Sequence, residues 1–290
     1  MGAGALSGGE GRAALHVVAT PIGNLGDITR RAVETLRDAD VVLAEDTRRT
    51  SILLRHLGIQ TRLVSAHEHN EAARASLVVE MLREGKRVAL VSDAGTPLLS
   101  DPGARIVREA AAAGFPVVPI PGPSALLAAL VASGVEAETF TFLGFPPRKG
   151  PERAELLEEV AASPRASVLY ESPNRLAKLL ADLAEAAGPE RRVAVCRELT
   201  KLHEEVFRGT VAEAAERFRG EVLGEIVVVV AGRPADARAE EAVDAMAADA
   251  LAKALLAQGQ APSAVAKELR RRLGISRNDA YRIAQEAGEG

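Results

Sequence analysis

Five short apolar runs, separated by helical patterns, fill the first 123 residues, and nothing else in the chain restricts its fold as much. The runs are Leu15–Thr20, Val41–Ala44, Arg62–Ser65, Arg87–Ser92 and Pro116–Ile120. Apolar or β-branched runs of this length read as buried strands. Between them, Ile28–Asp38, Ser51–Leu57, Asn70–Glu84 and Ala104–Ala113 carry helical spacing, with Gly58, Gly85 and Gly114 as stop signals. Strands alternating with helices predict an α/β fold, a parallel sheet covered on both faces.

A second unit follows Pro123. Ser124–Ser133 reads as a linking helix and Asn174–Ala187 as a second helix. Thr139–Gly144, Ser167–Glu171, Arg192–Arg197, Glu205–Gly209 and Glu225–Ala231 read as strands. Gly232, Arg233 and Pro234 break the pattern. Ala235–Ala257, Pro262–Leu273 and Ser276–Ala287 are helical, the last two around Gly274. The expected division is a disordered tail over 1–14, α/β domains over 15–123 and 124–234, and a helical, helix-turn-helix-like extension over 235–290. In that extension Ser263 is the expected cap, Val265, Leu269 and Leu273 share a face, and Ala280 and Ile283 are expected in the core.

Composition removes several classes. No apolar run approaches the ~20 residues that cross a membrane, and the Gly/Ala-rich start has no apolar segment of the signal-peptide kind. Cys196 is the only cysteine, which excludes an intrachain disulfide or a cysteine-built zinc site. A cytoplasmic protein without a membrane partner fits. The net charge of −4 restricts any RNA surface to local patches of Lys and Arg. Aromatics at 3%, with no Trp, argue against base-stacking platforms.

Ligands of open parallel sheets bind beyond the carboxyl ends of the strands. Here every such loop is rich in Gly, Pro, Asp or His: Ala19–Gly26, Glu45–Arg49, Ala66–Asn70, Ser92–Pro97 running on to Asp101–Gly103, and Pro121–Ser124. One such loop is usually a plain turn, whereas five on one edge suggest a large cleft. No phosphate loop of the Gly-x-x-x-x-Gly-Lys type follows a strand, and neither does a Gly-x-Gly-x-x-Gly. Pro21 lacks the N–H that a phosphate cradle needs. The Gly-x-Ser-x-Gly elbow of serine hydrolases is also absent. His67 and His69 lie in a loop with no visible third ligand, so a substrate-facing polar loop is preferred to a metal.

The ordered set Thr20-Pro-Ile-Gly-Asn-Leu-Gly-Asp27, Glu45-Asp-Thr-Arg48, Ser92-Asp-Ala-Gly-Thr-Pro97, Asp101-Pro-Gly103, Pro121-Gly-Pro-Ser-Ala125 and Tyr170-Glu-Ser-Pro-Asn-Arg175 resembles the ribosomal RNA small subunit methyltransferase I family. The resemblance runs from about Leu15 to Gly232. It implies the tetrapyrrole methylase fold, two α/β domains with S-adenosylmethionine in the cleft between them, and 2′-O-methylation of a cytidine in 16S rRNA of the small ribosomal subunit. It also implies a homodimer. Matched motif to motif, Pro21 borders the cofactor, the Ser92–Ser100 loop holds it with Asp93, Gly95, Thr96 and Ser100, and Ser124 and Ala125 touch it where the chain crosses between domains.

The residues themselves leave choices open. Asp93 fits a cofactor contact or an Asx turn. Glu45 and Asp46, followed by Arg48 and Arg49, fit a helix N-terminus favoured by the dipole, or a carboxylate that accepts a proton beside arginines that hold RNA. A ribose hydroxyl is a weak acid, so a general base should help, with Asp46, Glu198 and Lys201 (if its pKa is lowered) as candidates. Arg48, Arg49, Arg175, Arg197 and, in the basic tail, Arg271 are the expected phosphate contacts. DNA is not expected, because a lone half-element has no dimer spacing. Two other functions compete: C-methylation of a corrin or porphyrin on the same fold, and a non-catalytic RNA-binding assembly protein.

Overall fold

The computed structural model describes residues 13–273 and 277–289, so the expected tail over 1–14 lies almost wholly outside the described residues, as do Gly274 and Ser276. The chain forms two compact units, one through Ala231 and one from Gly232.

In the first half of the first unit, strands β1 (Ala14–Val18), β2 (Val41–Ala44), β3 (Arg62–Ser65), β4 (Arg87–Val91) and β5 (Val117–Ile120) form one parallel sheet in the order β3-β2-β4-β1-β5. The side-chain period of two explains its double burial. Val41 and Leu43 of β2, with Val88 and Leu90 of β4, face a core shared with α3 (Glu71–Arg83) and α4 (Ala104–Ala112). Val42, Ala44, Ala89 and Val91 face the opposite core, against Leu36 of α1 (Arg30–Asp38) and Leu54 of α2 (Thr47–His56). Leu36 is fully buried, and its truncation to Ala costs about 2–5 kcal/mol. Loops leaving the neighbouring strands β1 and β4 turn to opposite faces, so a crevice opens between them at the carboxyl edge. Helix α2 starts four residues before the expected Ser51, because the Asp46 carboxylate caps it by accepting from the Arg48 N–H at 2.9 Å.

The second half opens with α5 (Ala125–Ser133), capped by Ser124. Strands β6 (Phe140–Gly144), β7 (Ala166–Glu171), β8 (Arg192–Arg197), β9 (Glu205–Thr210) and β10 (Ile226–Val230) form a mixed sheet in the order β6-β7-β10-β8-β9. Only β6 and β7 are parallel; the other pairs are antiparallel. Ile226, Val228 and Val230 pack under α6 (Pro151–Ala162), α7 (Pro173–Ala187) and α8 (Val211–Arg217), while Val227 and Val229 pack against α5. Helices α6 and α8 fall in segments to which the sequence reading assigns no element. Both carry local start signals: Pro151 at the first turn of α6, and a Thr210–Glu213 capping box on α8.

The second unit holds α9 (Ala235–Ala257), α10 (Pro262–Leu273) and α11 (Arg277–Glu289), with its own core of Leu255, Val265, Leu269, Ala280 and Ala284. Two expectations need correction. Leu273 is 40% exposed. Ser263 lies inside the first turn of α10, where the Ala261 carbonyl accepts from the N–H groups of Ala264 and Val265. No helix among the described residues is long and apolar enough to cross a membrane.

Candidate functional site

The crevice at the β1/β4 edge widens into a cleft of about 420 Å³ that both halves line, within the usual ligand-site range of roughly 300–1,000 Å³. A two-way bridge ties the loops after β1 and β4 together. The Thr20 N–H donates to the Gly95 carbonyl at 2.8 Å, and the Gly95 N–H to the Thr20 carbonyl at 3.0 Å. Gly95 has φ +78°, and an added Cβ would stand 3.3 Å from Ile22 Cγ2. Among the described residues, the non-glycine residues with positive φ are Leu98, Ser100, Glu198 and Thr200. All four sit in the two loops that face each other here, the kind of backbone strain that clusters at functional sites.

The first half supplies charge. Glu45, Asp93 and Asp101 line the cleft with one cation, Arg49, whose Nη1 is 3.6 Å from Asp93 Oδ2. Asp93 Oδ1 accepts from the Asp46 N–H at 2.9 Å. Burial, then the charges of Glu45 and Asp93, push the Asp101 carboxyl up to about 6 against a partly offsetting Ser92 hydrogen bond. Burial and the Asp93 charge also raise Glu45. The second half supplies mostly apolar surface, Phe145, Leu199, Ile226 and Val227, beside Tyr170, the buried Glu171 and Glu225.

Of the residues expected at the cofactor, Asp93, Gly95, Thr96, Ser100, Ser124 and Ala125 all line the cleft. Pro21 does not; its neighbour Ile22 does. The implied cofactor, S-adenosylmethionine, carries a sulfonium, an α-ammonium and a flat base. Three carboxylates suit the cations, the apolar wall suits the base, and Gly95 leaves the space a Cβ would fill, so the residues present fit such a group.

None of the three expected bases lines the cleft. Asp46 caps α2 and is held down at about 2 by its bonds with Arg48, from Nε at 3.0 Å and Nη2 at 2.7 Å. Lys201 has the wrong shift for a base. Burial lowers its pKa, but bonds to Glu198 Oε1 at 2.7 Å and Glu225 Oε2 at 3.2 Å outweigh that and raise it. The Lys201 bond, helped by the Glu225 N–H that donates to Glu198 Oε1 at 3.0 Å, lowers Glu198 against its partial burial. The trio instead fastens the halves together. Lys201 packs on Gly23, and Thr200 Oγ1 accepts from the Asn24 N–H at 3.2 Å.

The arginines scatter. Arg49 reaches the cleft. Arg48 is spent on Asp46, and Arg197 on Glu205 and the Leu223 carbonyl. Arg175 lines a separate basic cavity. Arg271, in the second unit, pairs with Glu268 at 2.5 Å. Asp101 and Tyr170–Ser172 belong to motifs visible in the sequence, yet only folding singles them out. Leu199, Ile226 and Val227 gave no signal beyond being core-like.

Residues 14–215 match the family model described as Tetrapyrrole (Corrin/Porphyrin) Methylases. The chain is 46% identical over 283 residues to the ribosomal RNA small subunit methyltransferase I of Mesorhizobium japonicum, covering 96% of this chain and 94% of that protein. It is 42% identical to the protein of that name from Synechocystis, covering 94% and 97%. The Thermotoga maritima protein of that name is 48% identical, with 98% of its length matched by 76% of this chain. Among solved structures, a cobalt precorrin-4 methyltransferase superposes with a TM-score of 0.58 at 20% identity, over 76% of this chain and 95% of that one. The methyltransferase CobJ gives 0.59 at 21%, over 76% and 94%. At that identity these two speak for the fold alone. With the family model across most of the first unit and relatives above 40% identity along nearly the whole chain, this protein belongs to the ribosomal RNA small subunit methyltransferase I family, within the tetrapyrrole methylases.

Proposed function

We propose that the chain is an S-adenosylmethionine-dependent enzyme that methylates the ribose 2′-hydroxyl of a cytidine in 16S rRNA, acting in the cytoplasm on the small ribosomal subunit. The observation that carries this reading is the cleft, whose acidic lip and apolar wall suit a cationic nucleoside cofactor. The names of the relatives direct it toward rRNA. Bound there, the cofactor supplies an activated methyl group. Asp93, Thr96, Ser100 and Ser124 offer it polar contacts, Gly95 and Ala125 allow close backbone approach, and Pro21 holds Ile22 against it. Aligning the hydroxyl with the methyl supplies much of the rate.

The proton acceptor is Asp101. It lines the cleft, and a pKa of about 6 leaves it ionised yet basic near neutrality. The 2′-hydroxyl proton passes to its carboxylate as the oxygen attacks, and then to water. Arg49, at the mouth, steers the RNA strand. A homodimer completes the reading: α5 leaves Leu127 and Val131, one turn apart, 55% and 85% exposed. Light scattering should report twice the 30.4 kDa chain mass.

Mass spectrometry of nucleosides from 16S rRNA tests the function. A strain lacking the gene should lose one 2′-O-methylated cytidine, regained with the wild-type protein and not with Asp101→Asn. An unchanged nucleoside profile after deletion rules the assignment out.

A further inference from the structure

A second cavity of about 360 Å³ shares the Ser172 wall with the cleft, and every residue that lines it carries a polar or charged group: Arg148, Arg153, Ser172, Asn174, Arg175 and Lys178. Four cations therefore converge on one pocket. Asp182 answers two of them, with Oδ2 2.8 Å from Arg153 Nε and Oδ1 3.0 Å from Lys178 Nζ. The buried Glu171 answers a third, with Oε1 3.2 Å from Arg175 Nε. Arg148 is exposed and has no acidic partner among the described residues. Four positive charges against two negative ones leave a local excess in a chain whose net charge is −4.

The pocket is built, not merely decorated. Arg153 is 5% exposed, and its Nη1 donates to the Pro147 carbonyl at 2.8 Å, while Arg175 Nη2 donates to the Pro146 carbonyl. Two guanidinium groups thus pin the loop that carries Arg148. The pocket also meets the start of α7, a 15-residue helix that no side chain caps and whose first residue, Pro173, has no N–H. Its dipole adds to the attraction for an anion.

We propose that this pocket anchors a backbone phosphate of the RNA strand whose nucleotide enters the adjoining cleft. The inference rests on the methyltransferase reading and adds to it the place where the polynucleotide is gripped. A phosphodiester suits the site because its oxygens match guanidinium forks, and because its negative charge offsets part of the positive excess. The shared Ser172 wall joins ribose and phosphate positions, as one strand requires. Free phosphate has the same chemistry, so the test separates the two.

Arg148→Ala removes an exposed group without an acidic partner among the described residues, and Lys178→Ala gives up only a partly exposed i,i+4 pair with Asp182, which adds little to stability. Arg165→Ala, at the opposite end of β7, is the control for losing one surface charge. Affinity for 16S rRNA is measured by filter binding across a salt series, cofactor affinity by calorimetry, and methylation of small subunits by kcat and KM. Each pocket variant should bind RNA roughly five- to tenfold more weakly near 0.1 M salt, with a salt slope about one unit shallower. KM for the subunit should rise while kcat and cofactor affinity hold, and Arg148→Lys should restore much of the loss. Pocket variants that match the Arg165→Ala control in affinity and slope overturn the anchor. So does inorganic phosphate binding that Arg148→Ala abolishes while RNA affinity stays put. Failure of the wild-type protein to methylate subunits overturns the functional reading and this proposal with it; a methylating wild type with unmoved variants overturns the anchor alone.

Discussion

The two halves of the first unit meet at one cleft and give it opposite things. The parallel sheet brings the carboxyl ends of five strands to one edge, so five loops gather there and deliver Glu45, Asp93, Asp101 and the turn at Gly95. The mixed sheet presents the starts of some strands beside the ends of others, and its contribution is mostly wall: Phe145, Leu199, Ile226 and Val227. Strand direction accounts for the difference. A parallel sheet segregates its loops by edge, whereas an antiparallel one shares them between edges. Chemistry and the ligand cradle should therefore fail when the first half is changed, and chiefly stability when the wall of the second is.

The largest expected effect is that of Asp101→Asn, which should lower kcat by about 10²–10⁴-fold while cofactor affinity stays within a few-fold. Wild-type activity should rise with pH through about 6, as the carboxyl ionises, and that limb should vanish in the variant. The raised pKa also carries a sign for stability. The folded state holds the proton more tightly than an unfolded chain with the ordinary value of 3.8, so stability present in acid is lost as pH climbs through about 6. The Asn variant should escape that loss, on the order of 2 kcal/mol, and melt higher than wild type at pH 8 but not at pH 4. Equal kcat in the variant would remove Asp101 from the chemistry.

Gly95→Val comes next. A β-branched residue at φ +78° costs about 1–3 kcal/mol and drives its side chain toward Ile22. Calorimetry should find cofactor affinity down by roughly ten- to a hundredfold. Full affinity in a folded variant would mean that the loop does not cradle the ligand.

From the second half, Leu199→Ala should act differently. Leu199 is 8% exposed and packs in the core that contains Ile22 and Leu126. Thermal unfolding should report a loss of about 2–3 kcal/mol, with kcat nearly unchanged and cofactor affinity a few-fold weaker. A collapse of kcat with intact stability would break the division between the halves.

The smallest effect should be that of Lys201→Met. Lys201 itself does not line the cleft, and its ion pairs with Glu198 and the cleft-edge Glu225 are partly exposed, so they contribute about 0–1 kcal/mol. A fall in kcat beyond about threefold, together with loss of a pH limb, would return Lys201 to the chemistry and sharpen the role of the joining loops.

Local chain chemistry made much of this legible beforehand. The five first-half strands, the cleft loop Asp93–Thr96 and the crossing at Ser124 are stretches whose own residues announce them: β-branched runs, a glycine where φ must be positive, a serine before a helix. The misplaced element start has a local cause as well, since the Asp46 cap was visible as an acid before a helical pattern. Helices α6 and α8 were missed although Pro151 and the Thr210–Glu213 box were in plain view, because strands dominate their surroundings.

What the sequence by itself determined is most of the segments and the edge where the polar loops gather, since periodicity and turn residues act over a few residues. Only the tertiary structure set the two aspartates apart in proton affinity. Asp46 and Asp101 are the same group in the chain, but one lies in reach of Arg48 two residues away and is held at about 2. The other is half-buried and feels Glu45, 56 residues distant in sequence, and rises to about 6. Burial and the meeting of remote charges set a proton affinity, and both exist only once the chain has folded.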